Sequence, residues 1–280
     1  MRVDALTTFT GRREFECAAA LLDKLGIEHL LISPDPAYAH VGCPAIALAD
    51  EAKAQFLEST GADILSAGWV DFRPPSQSVP DEAPQEFAED AVGRVAIVVL
   101  APCVADLDRL RLTAHLSGDV AEALPYLNAE MAQGSYVAKL PVFTFMDGHR
   151  MVSLFRDRVA VAKADDIVDA WASLERVRCV VNDVWSRREA ITPSSELRRR
   201  PPALEVYKRL PGTNCKQCGE ATCMAFAWAV WRGDAEPQLC LPVFEGHRGD
   251  LKDALLSICS GLGLGDPPEH IHQQSSKGGS

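Results

Sequence analysis

The chain has 280 residues, a formal net charge of −11 and a hydrophobic share of 47%. This length predicts two or three small domains, and the acidic balance argues against a nucleic-acid binder, which needs Lys and Arg contacts to phosphates. No apolar run approaches the ~20 residues that cross a bilayer, and the polar N-terminus does not resemble a secretory signal. We therefore expect a cytoplasmic protein without membrane insertion.

Residues 1–73 alternate between strand-like and helix-like segments in the order βαββαβ. Apolar residues at helical spacing predict a helix over Arg12–Gly26, which ends at the glycine, and another over 51–61. Strands are predicted over 2–9, 28–33, 45–48 and 64–72. This order predicts a ferredoxin-like α/β domain, a term that names a topology and implies no cluster.

Residues 74–93 predict a linker, because they hold several prolines among Ser, Gln and carboxylates without an apolar period. Residues 94–190 predict a middle α/β domain, with a β-meander that turns at Asp147-Gly148-His149-Arg150 and a long amphipathic helix. Its predicted strands are 94–100, 109–116, 141–146, 151–155 and 158–163, and its predicted helices are 120–132 and 165–188.

A second predicted linker, 191–202, leads to a small and mostly helical module over 203–265. The polar tail, 266–280, is expected to be disordered. The predicted fold class of the chain is therefore α/β (α+β).

Four of the nine cysteines lie close together in the sequence: Cys215, Cys218, Cys223 and Cys240, with the spacing C-x2-C-x4-C-x16-C. An odd cysteine count without an export signal favours metal binding over disulfides. Three thiolates within a short loop, closed by a fourth after a helix-length gap, can surround one [4Fe–4S] cluster. The alternative is a structural zinc site, which usually pairs two C-x2-C units or adds histidines; because the spacing follows neither form, we favour the cluster.

Neighbouring residues suit the same interpretation. Gly219 permits a backbone with positive φ after the second cysteine. Thr222 is a predicted N-cap, which would place Cys223 in the first turn of a helix that ends at Gly233. The N-terminus of that helix would favour negative charge.

The run Leu210-Pro-Gly-Thr-Asn-Cys-Lys-Gln-Cys-Gly-Glu-Ala-Thr-Cys-Met-Ala-Phe-Ala227 closely resembles the four-cysteine [4Fe–4S] domain of corrinoid/iron–sulfur proteins. The domain occurs in the large subunit of the acetyl-CoA synthase complex and in the B subunit of the Rnf electron-transport complex. The resemblance covers Val206–Pro242 and implies that the four clustered cysteines hold a cluster that passes single electrons at low potential. This chain departs from the family at Leu241, which separates Cys240 from the proline that usually follows it. The stretch from Leu124 to Pro242 also resembles stand-alone (Fe–S)-binding proteins of bacteria.

The N-terminal domain resembles a family of selenium/sulfur carrier-like proteins. The resemblance is carried by Thr8-Phe9-Thr10, the helix over Phe15–Gly26, Leu31–Pro34 and Val41-Gly42-Cys43. It makes Cys43 the candidate carrier residue, which would need an accessible thiolate. In that family the glycine follows the cysteine, whereas here Gly42 precedes it. The alternative is a cysteine without chemistry.

The remaining candidates carry weaker signals. Cys103 is predicted to lie in the core, and Cys17, Cys179 and Cys259 to pack on apolar helix faces. His270 and His272 allow a metal site, but a solvated tail is favoured. The basic strip, defined as Arg187, Arg188 and Arg198–Arg200, could bind an acidic redox partner or be solvated linker.

Three functions remain open from the sequence. The leading hypothesis is one-electron transfer to or from a protein partner, a corrinoid protein being one candidate. The second is sulfur or selenium transfer through Cys43, with the cluster as an accessory. The third is an interaction or sensor protein that its cluster holds together. The first and third describe an accessory protein rather than a stand-alone enzyme, and the sequence predicts no catalytic residue other than Cys43.

Overall fold

A computed structural model describes residues 3–60, 64–198 and 201–262 of the chain. Its contacts divide the chain into two units, and the first contains the predicted N-terminal domain and most of the predicted middle domain. Of the described residues, the first unit holds those up to Met131, Tyr136–Thr144 and Arg150–Leu197; the second holds Ala132–Ser135, Phe145–His149 and those from Arg198 onward.

Several predictions concern residues outside the described ranges. These are the tail over 266–280 with His270 and His272, and two arginines of the basic strip, Arg199 and Arg200.

The N-terminal part of the first unit contains a four-stranded antiparallel sheet. Its strands are β1 (Ala5–Thr8), β2 (Leu30–Ile32), β3 (Ala45–Leu48) and β4 (Trp69–Asp71). Helix α1 (Arg12–Leu25) connects β1 to β2, and α2 (Asp50–Thr60) connects β3 to β4. The strand order β2-β3-β1-β4 confirms the predicted ferredoxin-like topology.

Helix α1 ends where the sequence predicts. Gly26 has φ 66°, and its N–H donates to Asp23 O and Leu22 O, which closes the last turn. The helix buries Ala18 and Leu22, four residues apart on one face. Cys17 is exposed, so its predicted packing role is wrong, because the position next to Ala18 lies about 100° around the helix.

Strand β4 is shorter than the predicted strand over 64–72. Gly68 interrupts it with φ 122°, and a Cβ there would lie 2.3 Å from the carbonyl oxygen of Leu100. Ala67 donates its N–H to Thr8 O and accepts from Leu100 N–H. The chain at this point therefore connects the N-terminal sheet to the next sheet instead of extending β4.

A six-stranded sheet follows the N-terminal sheet along the chain. Its strands are β5 (Val95–Cys103), β6 (Asp106–Leu116), β7 (Ser135–Val137), β8 (Val142–Asp147), β9 (Arg150–Phe155) and β10 (Arg158–Ala164). The order β5-β6-β10-β9-β8-β7 contains the predicted meander, and only β7 among these strands lacks a sequence prediction.

Two helices accompany this sheet, α3 (Leu124–Glu130) and α4 (Ile167–Ser186). The predicted helix over 120–132 is wrong in length, because Pro125 lies in the first turn of α3. A helix that began at Val120 would place this proline in its interior, where proline breaks the hydrogen-bond pattern.

The segment 74–93 contains no helix or strand but follows a defined path along α4. The buried guanidinium of Arg178 donates to Asp90 at 2.7 Å and to Gln85 O at 2.6 Å. At the other end, the Asp166 carboxylate accepts from Ser76 N–H at 2.8 Å. The segment is therefore tied to α4 at both of its ends.

Asp90 is the polar centre of this attachment. Burial raises the pKa of its carboxyl, but hydrogen bonds from Gly93 N–H, Asn182 and Arg178 outweigh burial and hold the pKa below its usual value. Asp90 thus stabilises the fold in its charged form.

The described part of the second unit from residue 201 onward is mostly helical, as predicted. It contains α5 (Ala203–Tyr207), α6 (Cys223–Arg232), α7 (Leu241–Phe244) and α8 (Lys252–Ser260). Its core includes Val206, Phe226, Val230, Leu255 and Cys259. Packing of Cys259 is confirmed, and burial raises the pKa of its thiol to about 11. Every helix in the described part of the chain is too short or too polar to cross a bilayer.

Candidate metal centre

The four clustered cysteines line one concavity of the second unit. Cys215 and Cys218 lie in the loop between α5 and α6, Cys223 is the first residue of α6, and Cys240 immediately precedes α7. The concavity holds about 300 Å³ of empty space, part of which is open to solvent. The fold therefore brings Cys215 and Cys240, which helix α6 separates in the sequence, to the same concavity.

Burial differs sharply among the four. Cys223 and Cys240 are 8% and 5% exposed, Cys218 is half-buried, and Cys215 is exposed. The side chain of Phe226 is buried and lines the same concavity. The site thus has a protein-enclosed side and a solvent-facing edge at Cys215.

The loop that carries the first two cysteines is shaped by residues with positive φ. Gly212, Asn214, Lys216 and Gly219 have φ of 69°, 52°, 63° and 87°. Gly219 N–H donates to Lys216 O at 3.0 Å, which closes a turn around Cys218. The positive φ predicted for Gly219 is confirmed. A Cβ there would meet nothing within 4 Å, so backbone conformation rather than space favours glycine.

Asn214 connects this loop to the start of α6. Its Oδ1 accepts from Cys223 N–H at 2.8 Å, and its own N–H donates to Cys223 Sγ at 3.4 Å. Asparagine also tolerates the left-handed conformation that it adopts here. The sequence indicates a tight turn that begins at this asparagine, directly before the first cysteine, but it does not predict the bridge to Cys223.

Helix α6 has the predicted caps at both ends. Thr222 Oγ1 accepts from Ala225 N–H at 3.0 Å, and Gly233 ends the helix with φ 76°. These caps fix Cys223 in the first turn, at the positive end of the helix dipole, which favours a negatively charged ligand.

The thiols influence one another's protonation. The pKa of the Cys240 thiol is raised to about 11: burial is the largest cause, the Val243 N–H partly offsets it, and the charges of the other three cysteines add to the rise. A cationic centre that binds these thiols must therefore displace protons. Four thiols around one concavity are the donor set that a [4Fe–4S] cluster requires. No set of three or more His, Cys, Asp or Glu side chains in the described ranges is arranged to hold a single metal ion.

Cys43 does not have the exposure that the carrier hypothesis expected. It is 3% exposed, accepts from Ile97 N–H at 3.1 Å and donates to Val95 O at 3.9 Å. Burial raises the pKa of the thiol, and the Ile97 hydrogen bond only partly offsets this. Cys43 is therefore a buried hydrogen-bond partner for β5 rather than the accessible thiolate that the carrier hypothesis requires.

None of the remaining cysteines forms a disulfide. The predicted core position of Cys103 is confirmed, since it is 3% exposed. Cys179 is half-buried, and burial together with the charge of Glu175 raises the pKa of its thiol to about 12.

Arg187 and Arg188, two of the described arginines of the basic strip, already form ion pairs with carboxylates. Arg187 contacts Asp183 at 2.8 Å and Glu130 at 3.1 Å. Arg188 contacts Glu89 at 3.2 Å and lies over the ring of Trp185. These ion pairs reduce the positive charge that the strip could offer to an acidic partner.

Comparison with known proteins identifies residues 210–242 with the family described as "Putative Fe-S cluster". The gamma 2 subunit of the acetyl-CoA decarbonylase/synthase complex of Methanosarcina thermophila is 55% identical over 45 residues, 16% of this chain and 10% of that subunit. The corrinoid/iron-sulfur protein large subunit of Moorella thermoacetica is 38% identical over 68 residues, 24% of this chain and 15% of that subunit. No solved structure matches.

These matches are confined to a small part of each protein. The chain spans between 10% and 15% of the length of these relatives. What the comparisons support is an iron–sulfur domain at residues 210–242, the segment that contains all four cysteines of the concavity.

Proposed function

We propose that this protein binds a [4Fe–4S] cluster through Cys215, Cys218, Cys223 and Cys240, and transfers single electrons to or from a protein partner. The observation that carries the proposal is the convergence of these four thiols on one concavity with a solvent-facing edge. The relatives are named as subunits of acetyl-CoA decarbonylase/synthase and corrinoid/iron–sulfur proteins. These names favour a partner that holds a corrinoid or another low-potential centre.

The buried and the exposed cysteines of the site would have different roles. Cys223 and Cys240 would hold the cluster from the enclosed side, where Phe226 excludes water. Cys215 would bring the bound cluster's edge to the surface, which shortens the path to a docked partner. When bound, the cluster supplies a reversible one-electron couple, whose potential depends on the surrounding charges, hydrogen bonds and solvent exposure.

The ligand assignment is tested by iron and acid-labile sulfide analysis of anaerobically purified variants. We expect about four of each per wild-type chain and a large loss in Cys223→Ser. Cys17→Ser is the matched control, because Cys17 is an exposed thiol far along the chain from the site. Zinc without sulfide in the wild type, or full cluster content in Cys223→Ser, would contradict the assignment.

The two alternatives predict different behaviour. A sulfur or selenium carrier would lose transfer activity in Cys43→Ser, whereas electron transfer should survive this change; the burial of Cys43 gives the carrier role no structural support. An interaction or sensor protein would need the cluster to fold its second unit, but its cluster would not take up an electron reversibly.

A further inference from the structure

We propose that the positive charge of Lys216 raises the reduction potential of the bound cluster, so that this residue sets the driving force for electron transfer. The inference rests on the proposed function. It goes beyond ligand assignment, because Lys216 binds no iron and acts through its charge alone.

The backbone of Lys216 is the first observation. Its φ of 63° lies in the left-handed region, which disfavours side chains that carry a Cβ and lack a short polar group. Gly212 and Gly219, in the same loop, adopt positive φ without this strain. A lysine at such a position costs stability, so its side chain must contribute elsewhere if it is to offset the strain.

The position of Lys216 is the second observation. It lies between Cys215 and Cys218 and lines the same concavity as all four cysteines. Among the residues that line this concavity it is the cation, and Glu220 is the anion. Lys216 is therefore the residue of this lining that would present a positive charge to a bound cluster and its four thiolates.

The third observation is that the charge of Lys216 is not neutralised. In the described part of the chain, no ion pair or hydrogen bond involves its ammonium group. Lys208, in the same unit, differs in this respect because its ammonium contacts Glu205 at 2.6 Å. Lys216 therefore provides a positive charge that is free to act on the concavity.

The sign of the effect follows from the charge change on reduction. An added electron makes the cluster more negative, so a nearby cation stabilises the reduced state more than the oxidised state. Removal of the cation should lower the equilibrium constant for reduction by about tenfold at low ionic strength, a shift of about 59 mV to lower potential for one electron. Because Lys216 is exposed, added salt should shrink this difference.

The test is a redox titration of the anaerobically purified full chain and three variants. Lys216→Gln removes the charge and keeps the side-chain length; Lys216→Gly removes the charge and relieves the backbone. Lys216→Arg keeps the charge. We expect the glutamine and glycine variants to share a lowered potential, and the arginine variant to match the wild type. Lys208→Gln is the control and should leave the potential unchanged.

A second readout separates charge from loop shape. The cluster-free Lys216→Gly chain should melt at the same temperature as the wild type or higher, since glycine accepts the positive φ without strain. A potential that changes in the glycine variant but not in the glutamine variant would overturn the inference, because it would show an effect of loop shape. An unchanged potential in both variants would overturn the inference alone. A wild-type chain without a reversible one-electron couple would overturn the proposed function as well.

Discussion

Replacement of Gly233 by alanine should destabilise the second unit by more than the usual cost of placing alanine at a position with positive φ. The positive φ of 76° alone would cost an alanine about 1–2 kcal/mol. A Cβ would also lie 2.7 Å from His149 Cα and 2.9 Å from Gly148 O, which are backbone atoms and cannot swing aside. Moving that backbone adds about 1–3 kcal/mol. Together the two contributions should lower the free energy of unfolding of the second unit by about 2–5 kcal/mol.

Gly26→Ala is the matched control for this prediction. Gly26 also follows a helix with positive φ, 66°, but a Cβ there would meet nothing within 4 Å. It should cost only the backbone contribution of about 1–2 kcal/mol. Hydrogen exchange measures the two losses locally. In Gly233→Ala the opening free energy of the α6 amides should fall, and in Gly26→Ala that of the α1 amides should fall. Equal drops in the two helices would refute the close-approach argument.

Three further predictions address the thiols, acid stability and the loop. Alkylation of the native protein at neutral pH should label Cys17 and spare Cys43 until the chain is unfolded; equal rates would contradict the burial of Cys43. Because the pKa of Asp90 is lowered in the fold, its stabilisation is present above the unfolded carboxyl pKa of about 4 and disappears as the pH falls through the folded value. The unfolding free energies of wild type and Asp90→Asn should therefore differ at neutral pH and converge in acid, and a constant gap would show that the charge is irrelevant. Asn214→Gly keeps the positive φ but loses the hydrogen bond to Cys223 N–H, worth about 1 kcal/mol. Asn214→Ala loses the same bond and also adds backbone strain. Iron loss to a chelator should therefore be slowest in the wild type and fastest in the alanine variant, and any other order would count against the bridge.

Local signals in the sequence were sufficient for the main parts of the candidate site. The cysteine spacing, the N-cap at Thr222 and the terminating Gly233 each depend on residues close together in the chain, and the structure places them as expected. The ferredoxin-like topology was equally accessible, because its strands and helices differ clearly in apolar period.

Features that depend on distant residues could not be predicted in this way. The bond between Cys43 and Ile97 forms only because the fold brings β5 beside the N-terminal sheet, so the sequence alone left the carrier role and a cysteine without chemistry both open. The shortening of β4 at Gly68 likewise depends on the approach of Leu100. The bridge between Asn214 and Cys223 spans nine positions and requires a loop conformation that no periodicity signals.

The most direct test of the central claim is an EPR spectrum of the anaerobically purified chain before and after reduction with dithionite. The proposal predicts an S = 1/2 signal that appears on reduction, disappears on reoxidation and is absent from Cys223→Ser, the signature of a cluster that accepts one electron reversibly. A chain that remains EPR-silent through this cycle, or that contains zinc and no sulfide, would contradict it.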